Sequence, residues 1–281
     1  SGLAPLHNPP GIAGIRAAEE VLPNVPHVAI FDTAFFSTLP AEAYTYAIDS
    51  EVTEKYGIRK YGFHGTSHRY VSRKAAEFLG RPIEDLKIIV CHLGNGASIS
   101  AVDGGVAVET SMGLTPLQGL VMGTRSGDVD PGLHTFLVRE GGWDINDVDT
   151  MLNKRSGMLG LCGYTDMRDV EAQNDAGNER TKLALDIYVH RLVSYIGSYY
   201  AVLGGLDAIV FTAGVGENAS PVRAAVLNRL KHFGVTLDDA VNAVRSKQPR
   251  AISTPESAVA ALVIQTNEEL AMAQETLAII S

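Results

Sequence analysis

The sequence predicts an α/β fold, and three observations carry that expectation. Short apolar runs alternate with longer segments of helical period, and Gly-rich stretches follow several of the runs directly. The composition, 46% hydrophobic and 20% charged with 28 Gly in 281 residues, is that of an ordinary globular chain. At about 150 residues per domain, the length suggests roughly two domains.

In chain order, SGLAPLHNPP reads as a Pro-rich turn and HVAIFD (27–32) as a short strand ending at Asp32. Thr66 or Ser67 can cap a helix running to about Leu79, where Gly80 stops it. LKIIVCHL (86–93) reads as a buried strand, and ASISAVDGGVAVET (97–110) as a hairpin turning at Asp103-Gly104-Gly105. DINDVDTMLNKR (144–155) is helical, with Gly157 just beyond. The longest helix is expected over 178–203. Leu185, Tyr188, Leu192, Ile196, Tyr199 and Leu203 form one apolar row, and Val189, Val193 and Tyr200 a second. DAIVFTAG (207–214) is a further strand running into a Gly-rich turn, followed by a helix over 220–232 and a polar stretch to Arg250. AALVIQT (260–266) leads into a final helix, where Thr266 and Glu269 are spaced as a capping box.

Charge and cysteine content narrow the function. Lys plus Arg number 23 against 32 Asp plus Glu, a net −9 with no basic block, which argues against nucleic-acid binding. An acidic chain still binds small anions where a few cations line one cleft. Cys91 and Cys162 are too few for a disulfide framework and read as reduced, cytoplasmic residues. No apolar run reaches the ~18 residues of a membrane span, and the opening stretch has neither a basic nor an apolar leader region.

Five segments can carry chemistry. His92, Leu93, Gly94, Asn95 and Gly96 follow a strand and suit either a hairpin turn or a phosphate-cradling backbone. Gly214, Val215, Gly216, Glu217 and Asn218 suit a nucleotide over a strand–turn–helix junction, although the GxG lacks the third glycine of a dinucleotide fingerprint. No GxxxxGK[ST] occurs, which excludes a P-loop enzyme. In GFHGTSH (62–68), His64 sits in a Gly-flanked turn as a positioned donor or a plain surface histidine. His68 reads as structural, and a zinc pair with His64 is disfavoured. Arg125, between Gly123 and Gly127, offers a rigid fork to an anion or pairs with Asp128 or Asp130. His7, Asp32 and Glu268 are scattered. Asp32 can equally cap the next segment, and Glu268 can serve the dipole of the last helix.

Taken together, LAPLHNPP, VAIFDTAFF, YGIRKYGFHGTSHRYVS, CHLGNGASISAV, TSMGLTPLQGLVMGTRSGDVDP, FTAGVGENA and TNEEL resemble the acetate kinases of the actin-like ATPase and sugar-kinase superfamily. The resemblance runs from residue 3 to about 270. It implies an actin-like (ribonuclease-H-like) fold, a homodimer, and ATP + acetate ⇌ ADP + acetyl phosphate with Mg²⁺, or alternatively Mn²⁺. By the same resemblance, Arg125 and His64 would hold transition-state charge, Asp32 would orient substrate and metal-bound water, and Glu268 would support the metal. His7 would line the acetyl phosphate site, with Leu6, Phe63 and residues near Pro116 as pocket walls. Residues 92–96 would meet the phosphates. Asp166, Met167 and Arg168, with 214–218, would form the adenosine pocket.

The resemblance has departures. LCGYTDMRD (161–169) is one residue shorter than the family's usual form. The family's first phosphate loop, of N-x-G-S-S-S type with a Lys, and its carboxylate-binding Arg are both absent from the sequence. The expected organisation is therefore the remnant of a first domain over 1–48, a nucleotide-binding domain over 49–266, and a final helix over 267–281 returning to the first. Two other functions stay open: a propionate kinase, and an ATP-binding module without catalysis.

Overall fold

The computed structural model describes residues 8–281. Its centre is one six-stranded sheet in the order β3-β2-β1-β4-β6-β5. The strands are β1 (Lys87–Leu93), β2 (Ala97–Asp103), β3 (Val106–Thr110), β4 (Ala208–Thr212), β5 (Arg250–Ala251) and β6 (Ala260–Val263). β1, β4 and β6 run parallel, with His92 opposite Thr212 and Phe211 opposite Val263. β2 and β3 return antiparallel on one side of this core and β5 on the other.

The three parallel strands are apolar at most positions because both sheet faces are covered. Ile89, Cys91, Leu93, Ile209, Phe211 and Val263 point to one face, against Val189, Leu192, Ile196 and Tyr199 of the long helix Glu179–Leu203. Ile88, Val90, Val210 and Leu262 point to the other, against Val71, Ala75 and Ala76 of helix Gly65–Leu79. The long helix begins at Asn178, whose side chain accepts from Arg180 N, and stops at left-handed Gly204. Both expected ends hold. Its burial is a stripe, however: Leu183 and Val202 are exposed, so the helix covers the sheet rather than lying inside the protein.

Seven expectations are corrected. Residues 27–32 form no strand: they run extended with no ladder partner among the described residues, and Phe31 is 69% exposed. An apolar run becomes a strand only where neighbours take its N–H and C=O groups. The opening prolines lie partly in a helix, Asn8–Val21, because Pro9 and Pro10 occupy its first turn, where a missing N–H costs nothing. Thr66 and Ser67 sit inside helix Gly65–Leu79 rather than capping it; the N-cap position belongs to His64. The turn after β4 is itself a short helix, Ala213–Asn218. The helix expected over 220–232 ends at Arg229, and Lys231–Phe233 forms a 3₁₀ turn before Gly234. The last helix, Glu268–Ile280, is capped by Asn267, whose Oδ1 accepts from Leu270 N, so the Thr266–Glu269 box does not form. Gly157 opens the next helix, Gly157–Cys162, rather than merely following one.

The turn into helix Gly65–Leu79 needs a glycine. Gly62 has φ +74°, and a side chain there would begin 2.4 Å from Phe36 Cδ2 and 2.9 Å from Thr110 Cγ2. Gly62→Ala combines positive-φ strain with overpacking and is expected to destabilise by about 2–4 kcal/mol. Denaturant unfolding measures it; a loss within about 0.5 kcal/mol would mean Phe36 moves aside at no cost.

Candidate active site

Because β1, β4 and β6 are parallel, their carboxyl ends open on one edge, where ligands of such sheets bind. The loop after β1 is a tight hairpin turn, with Gly94 N donating to Gly96 O at 3.0 Å. The hairpin and the exposed backbone are thus the same object. Leu93 is buried in the core, so only its backbone is available to a ligand.

The backbone of His64 is left-handed, φ +60°, just before helix Gly65–Leu79. Asp32 holds it there: Oδ2 accepts from His64 N at 2.6 Å and the carbonyl accepts from Gly65 N at 2.8 Å. Asp32 therefore serves a helix start distant in sequence, not the segment that follows it. The His64 ring stacks on His92 with centroids 4.2 Å apart, and its Nδ1 bonds with Ser98 Oγ at 2.9 Å.

Arg125 reaches the same place from the opposite loop. The Gly123 N–H donates to Asn95 O at 2.9 Å, and Asn95 Oδ1 fills the space a Gly123 side chain would need. Arg125 Nη1 donates to Pro116 O at 2.8 Å. Its Nη2 and the Cε1–Nε2 edge of His64 lie 3.4–3.5 Å from where a Gly96 side chain would begin. The alternative of an Arg125–Asp128 pair does not occur. Asp128 instead accepts from Gly119 N, Tyr195 OH and Arg191, and Asp130 accepts from Gly132 N. Arg125 makes no ion pair among the described residues; burial lowers its pKa from the ordinary value.

Glu268 follows β6, half-buried, its pKa raised by burial and then by the neighbouring charge of Asp32. These two carboxylates form a hard-oxygen pair. Among the described residues no group of three or more His, Cys, Asp and Glu could hold a metal ion.

The residues expected around adenosine form a second region. Met167 is buried, and Val215 packs against the same cluster, which joins the 166–168 and 214–218 segments. Asp166 caps helix Met167–Asp175 and binds the Arg168 side chain, which lowers its pKa; both are exposed. Gly216 is buried close over Phe211. Glu217 Oε1 accepts from Ala213 N at 2.9 Å, fixing the left-handed backbone of Ala213. Sequence reasoning missed Arg223. Fully buried, it donates to Gly216 O and Glu217 O at 2.9 Å and to Asn242, satisfying the carbonyl end of that short helix. An Arg among apolar neighbours, in Pro221-Val222-Arg223-Ala224-Ala225-Val226, was the available signal. Leu6 and His7 lie outside the described residues. Phe63 is half-buried on the main core beside this edge.

A parallel-centred sheet whose strand ends carry an Arg without an ion pair, a fixed His, two carboxylates and Gly-rich backbone is an α/β protein built to receive an anionic ligand such as a phosphate. Comparison with known proteins narrows the class. The acetokinase family profile matches residues 1–274. The acetate kinase of Streptomyces avermitilis is 56% identical over 278 residues, 99% of this chain and 69% of that protein. That of Alkaliphilus metalliredigens is 56% identical over 100% of this chain and 71% of its own. Among solved structures, Porphyromonas gingivalis acetate kinase superposes with a TM-score of 0.95 at 45% identity, covering 99% of this chain and 70% of that one. A propionate kinase from Francisella tularensis gives 0.91 at 46%, covering 96% and 69%. The chain belongs to the acetokinase family and spans about 70% of the length of these relatives.

Burial holds the two inner histidines neutral. It lowers the pKa of His92 to about 3, with the charge of His64 adding to the effect, and it puts that of His68 well below the ordinary value. An unfolded histidine titrates near pH 6.5, so below about that pH the unfolded chain takes up protons that the folded one cannot. Stability is therefore complete above about pH 6.5 and falls as the pH drops toward 3. Urea midpoints across this window should decline in the wild type and decline less in His92→Gln. An equal slope in both would show that His92 does not stay neutral.

Proposed function

We propose that the complete protein is an acetate kinase, transferring the γ-phosphoryl group of ATP to acetate reversibly and in line. An acetate oxygen attacks phosphorus, the bond to the ADP oxygen breaks, and acetyl phosphate and ADP leave. The observation that carries this reading is the convergence of Arg125 Nη2 and the His64 ring edge on Gly96, beside the Asp32–Glu268 pair.

The parts proposed for the residues rest on the family resemblance, and the geometry supports those of Arg125 and His64. Phosphoryl transfer asks the protein for positioning and charge stabilisation. Arg125, braced on Pro116 O, and His64, fixed by Asp32 and Ser98, present donors toward one point. Backbone groups of residues 92–96 line the phosphate path, and 166–168 with 214–218 enclose adenosine. Asp32 and Glu268 are the residues that would hold Mg²⁺, with Mn²⁺ as a substitute. The cation would supply charge neutralisation. His7, Leu6, Phe63 and Pro116 would face the acyl group. A homodimer and a cytoplasmic setting complete the proposal, as does the division at about residues 48 and 266.

Propionate kinase is the competing reading, favoured by the superposition on the Francisella tularensis enzyme. One methylene in a small pocket is worth only about 1–3 kcal/mol. Acetyl phosphate trapped with hydroxylamine tests catalysis, and kcat/KM for acetate against propionate decides the acyl length; a preference for propionate overturns the substrate assignment. No trapped product from the complete protein would leave only an ATP-binding module.

Arg125→Ala is expected to lower kcat by roughly 10³-fold, with little change in the KM for ATP, because the contact strengthens as charge develops. Equal losses in kcat and ATP affinity would make Arg125 a ground-state binder. Arg125→Lys should recover little, since the planar fork is lost. Glu268→Gln should raise the Mg²⁺ concentration needed for half-maximal rate; an unchanged requirement would remove Glu268 from the metal site.

A further inference from the structure

Behind His64, away from the reacting centre, runs a row of polar groups that substrate binding does not explain. Ser98 Oγ lies 2.9 Å from His64 Nδ1 and 2.7 Å from His68 Nε2, and Ser100 Oγ lies 2.7 Å from His68 Nδ1. Ser98, His68 and Ser100 are all fully buried. The row Ser100–His68–Ser98–His64 is continuous, and behind the half-buried His64 it is closed to water.

Proton arithmetic gives the row a direction. Each hydroxyl carries one proton, and a neutral imidazole carries one N–H. Burial keeps the ring of His68 neutral. In one polarity, the Ser100 hydroxyl donates to His68 Nδ1, His68 Nε2–H donates to Ser98 Oγ, and the Ser98 hydroxyl donates to His64 Nδ1. Every proton then has an acceptor. In the reverse polarity, His64 Nδ1–H donates to Ser98, Ser98 to His68 Nε2, and His68 Nδ1–H to Ser100. The Ser100 proton is then left with no acceptor at a site with zero exposure. Buried donors are rarely left unpaired, because desolvation is then uncompensated.

We propose that His68, with Ser98 and Ser100, is a positioning residue that fixes the tautomer of His64. Nδ1 of His64 is held as an acceptor, and its proton is placed on Nε2, the nitrogen on the Gly96 side of the ring. This deepens, and rests on, the reading of His64 as a donor to the transferred phosphoryl group. A donor on Nε2 faces developing negative charge with an N–H, whereas the other tautomer would face it with a lone pair. His68 acts entirely through His64 and touches no substrate. Its two serines come from alternate positions of β2, both facing helix Gly65–Leu79, so the strand's period of two sets the row.

Two-bond ¹H–¹⁵N spectra of ring-labelled protein, in mildly alkaline buffer where free histidine is neutral, read the tautomers directly. The expected result is Nε2–H on both His64 and His68; Nδ1–H on His64 overturns the proposal. Ser98→Ala should leave a mixture of His64 tautomers. It should also lower kcat of the complete protein roughly 10- to 100-fold, the range for partners that orient a functional histidine, with the KM for ATP unchanged. Ser100→Ala, which does not touch His64, should still shift the His64 tautomer ratio; a purely structural serine would change stability and leave that ratio alone. If Ser98→Ala does not fold, the wild-type spectrum and Ser100→Ala decide the matter. His64→Ala separates the two levels. Full activity there overturns the site reading and this role with it. Lost activity there with wild-type kcat in Ser98→Ala overturns the role of the row alone.

Discussion

The parallel register of β1, β4 and β6 is the constraint from which the rest of the site follows. Pairing His92 with Thr212 and Phe211 with Val263 makes three strands end level. The hairpin turn at 94–96, the short helix Ala213–Asn218 and the approach to Glu268 therefore leave the sheet on one edge. A slip of one residue would turn Ile89, Cys91, Ile209 and Phe211 from the face of the long helix to that of helix Gly65–Leu79. The core that fixes the register thus also fixes the position of the Gly-rich backbone at 94–96. Site and core are not separately adjustable here.

Helix Gly65–Leu79 links that edge to the first part of the chain. It packs Val71, Ala75 and Ala76 on the sheet and meets the last helix through the Arg69–Glu275 ion pair at 2.7 Å. Its amino end has no side-chain cap of its own. Asp32 closes it instead, by taking the His64 and Gly65 amides, and in doing so sets the ring that stacks over His92. The Asp32 carboxylate therefore satisfies one helix-terminal donor, the His64 amide, while its backbone carbonyl takes the next, and its charge raises the pKa of Glu268. A substitution at Asp32 would disturb both functions, so its effect on rate alone would say little about which one mattered.

Much of this was legible in the sequence, and the misreadings share a cause. The buried strands, the hairpin and the long helix from Asn178 to Gly204 are local statements: apolar runs, a turn dipeptide, a cap and a stop. The Gly-rich stretches after β1 and β4 were legible for the same reason. Residues 27–32 carried a strand's composition without the neighbours that would make them one. Thr66 and Ser67 had the composition of a cap, but the helix begins ahead of them at Gly65, where the His64 amide is taken by Asp32, 32 positions away. Arg223, which secures the carbonyls of Gly216 and Glu217, and the Ser98–His68–Ser100 row are likewise products of tertiary proximity. The family resemblance named residues that local chemistry left evenly balanced, yet it named none of these supports.

The electrostatics of the edge explain why an acidic chain suits an anionic ligand. With a net charge of −9, the protein as a whole repels phosphate at long range. Salt screens that repulsion over about 10 Å, so local charge decides binding. Locally, the carboxylate nearest Arg125 in sequence is turned away: Asp128 is held by Tyr195 OH at 2.6 Å, by Arg191 and by Gly119 N. Arg125 keeps its full charge in a partly desolvated setting with only a carbonyl, Pro116 O, beneath it. Had Asp128 paired with Arg125, the desolvation would already be compensated, and an incoming phosphoryl group would have to displace the carboxylate. Leaving the cation uncompensated costs stability in the unliganded protein and makes the arrival of negative charge favourable. The diversion of Asp128 to the long helix thus leaves Arg125 without an ion pair, and on the proposed reading it ties the strength of anion binding to a contact with the core.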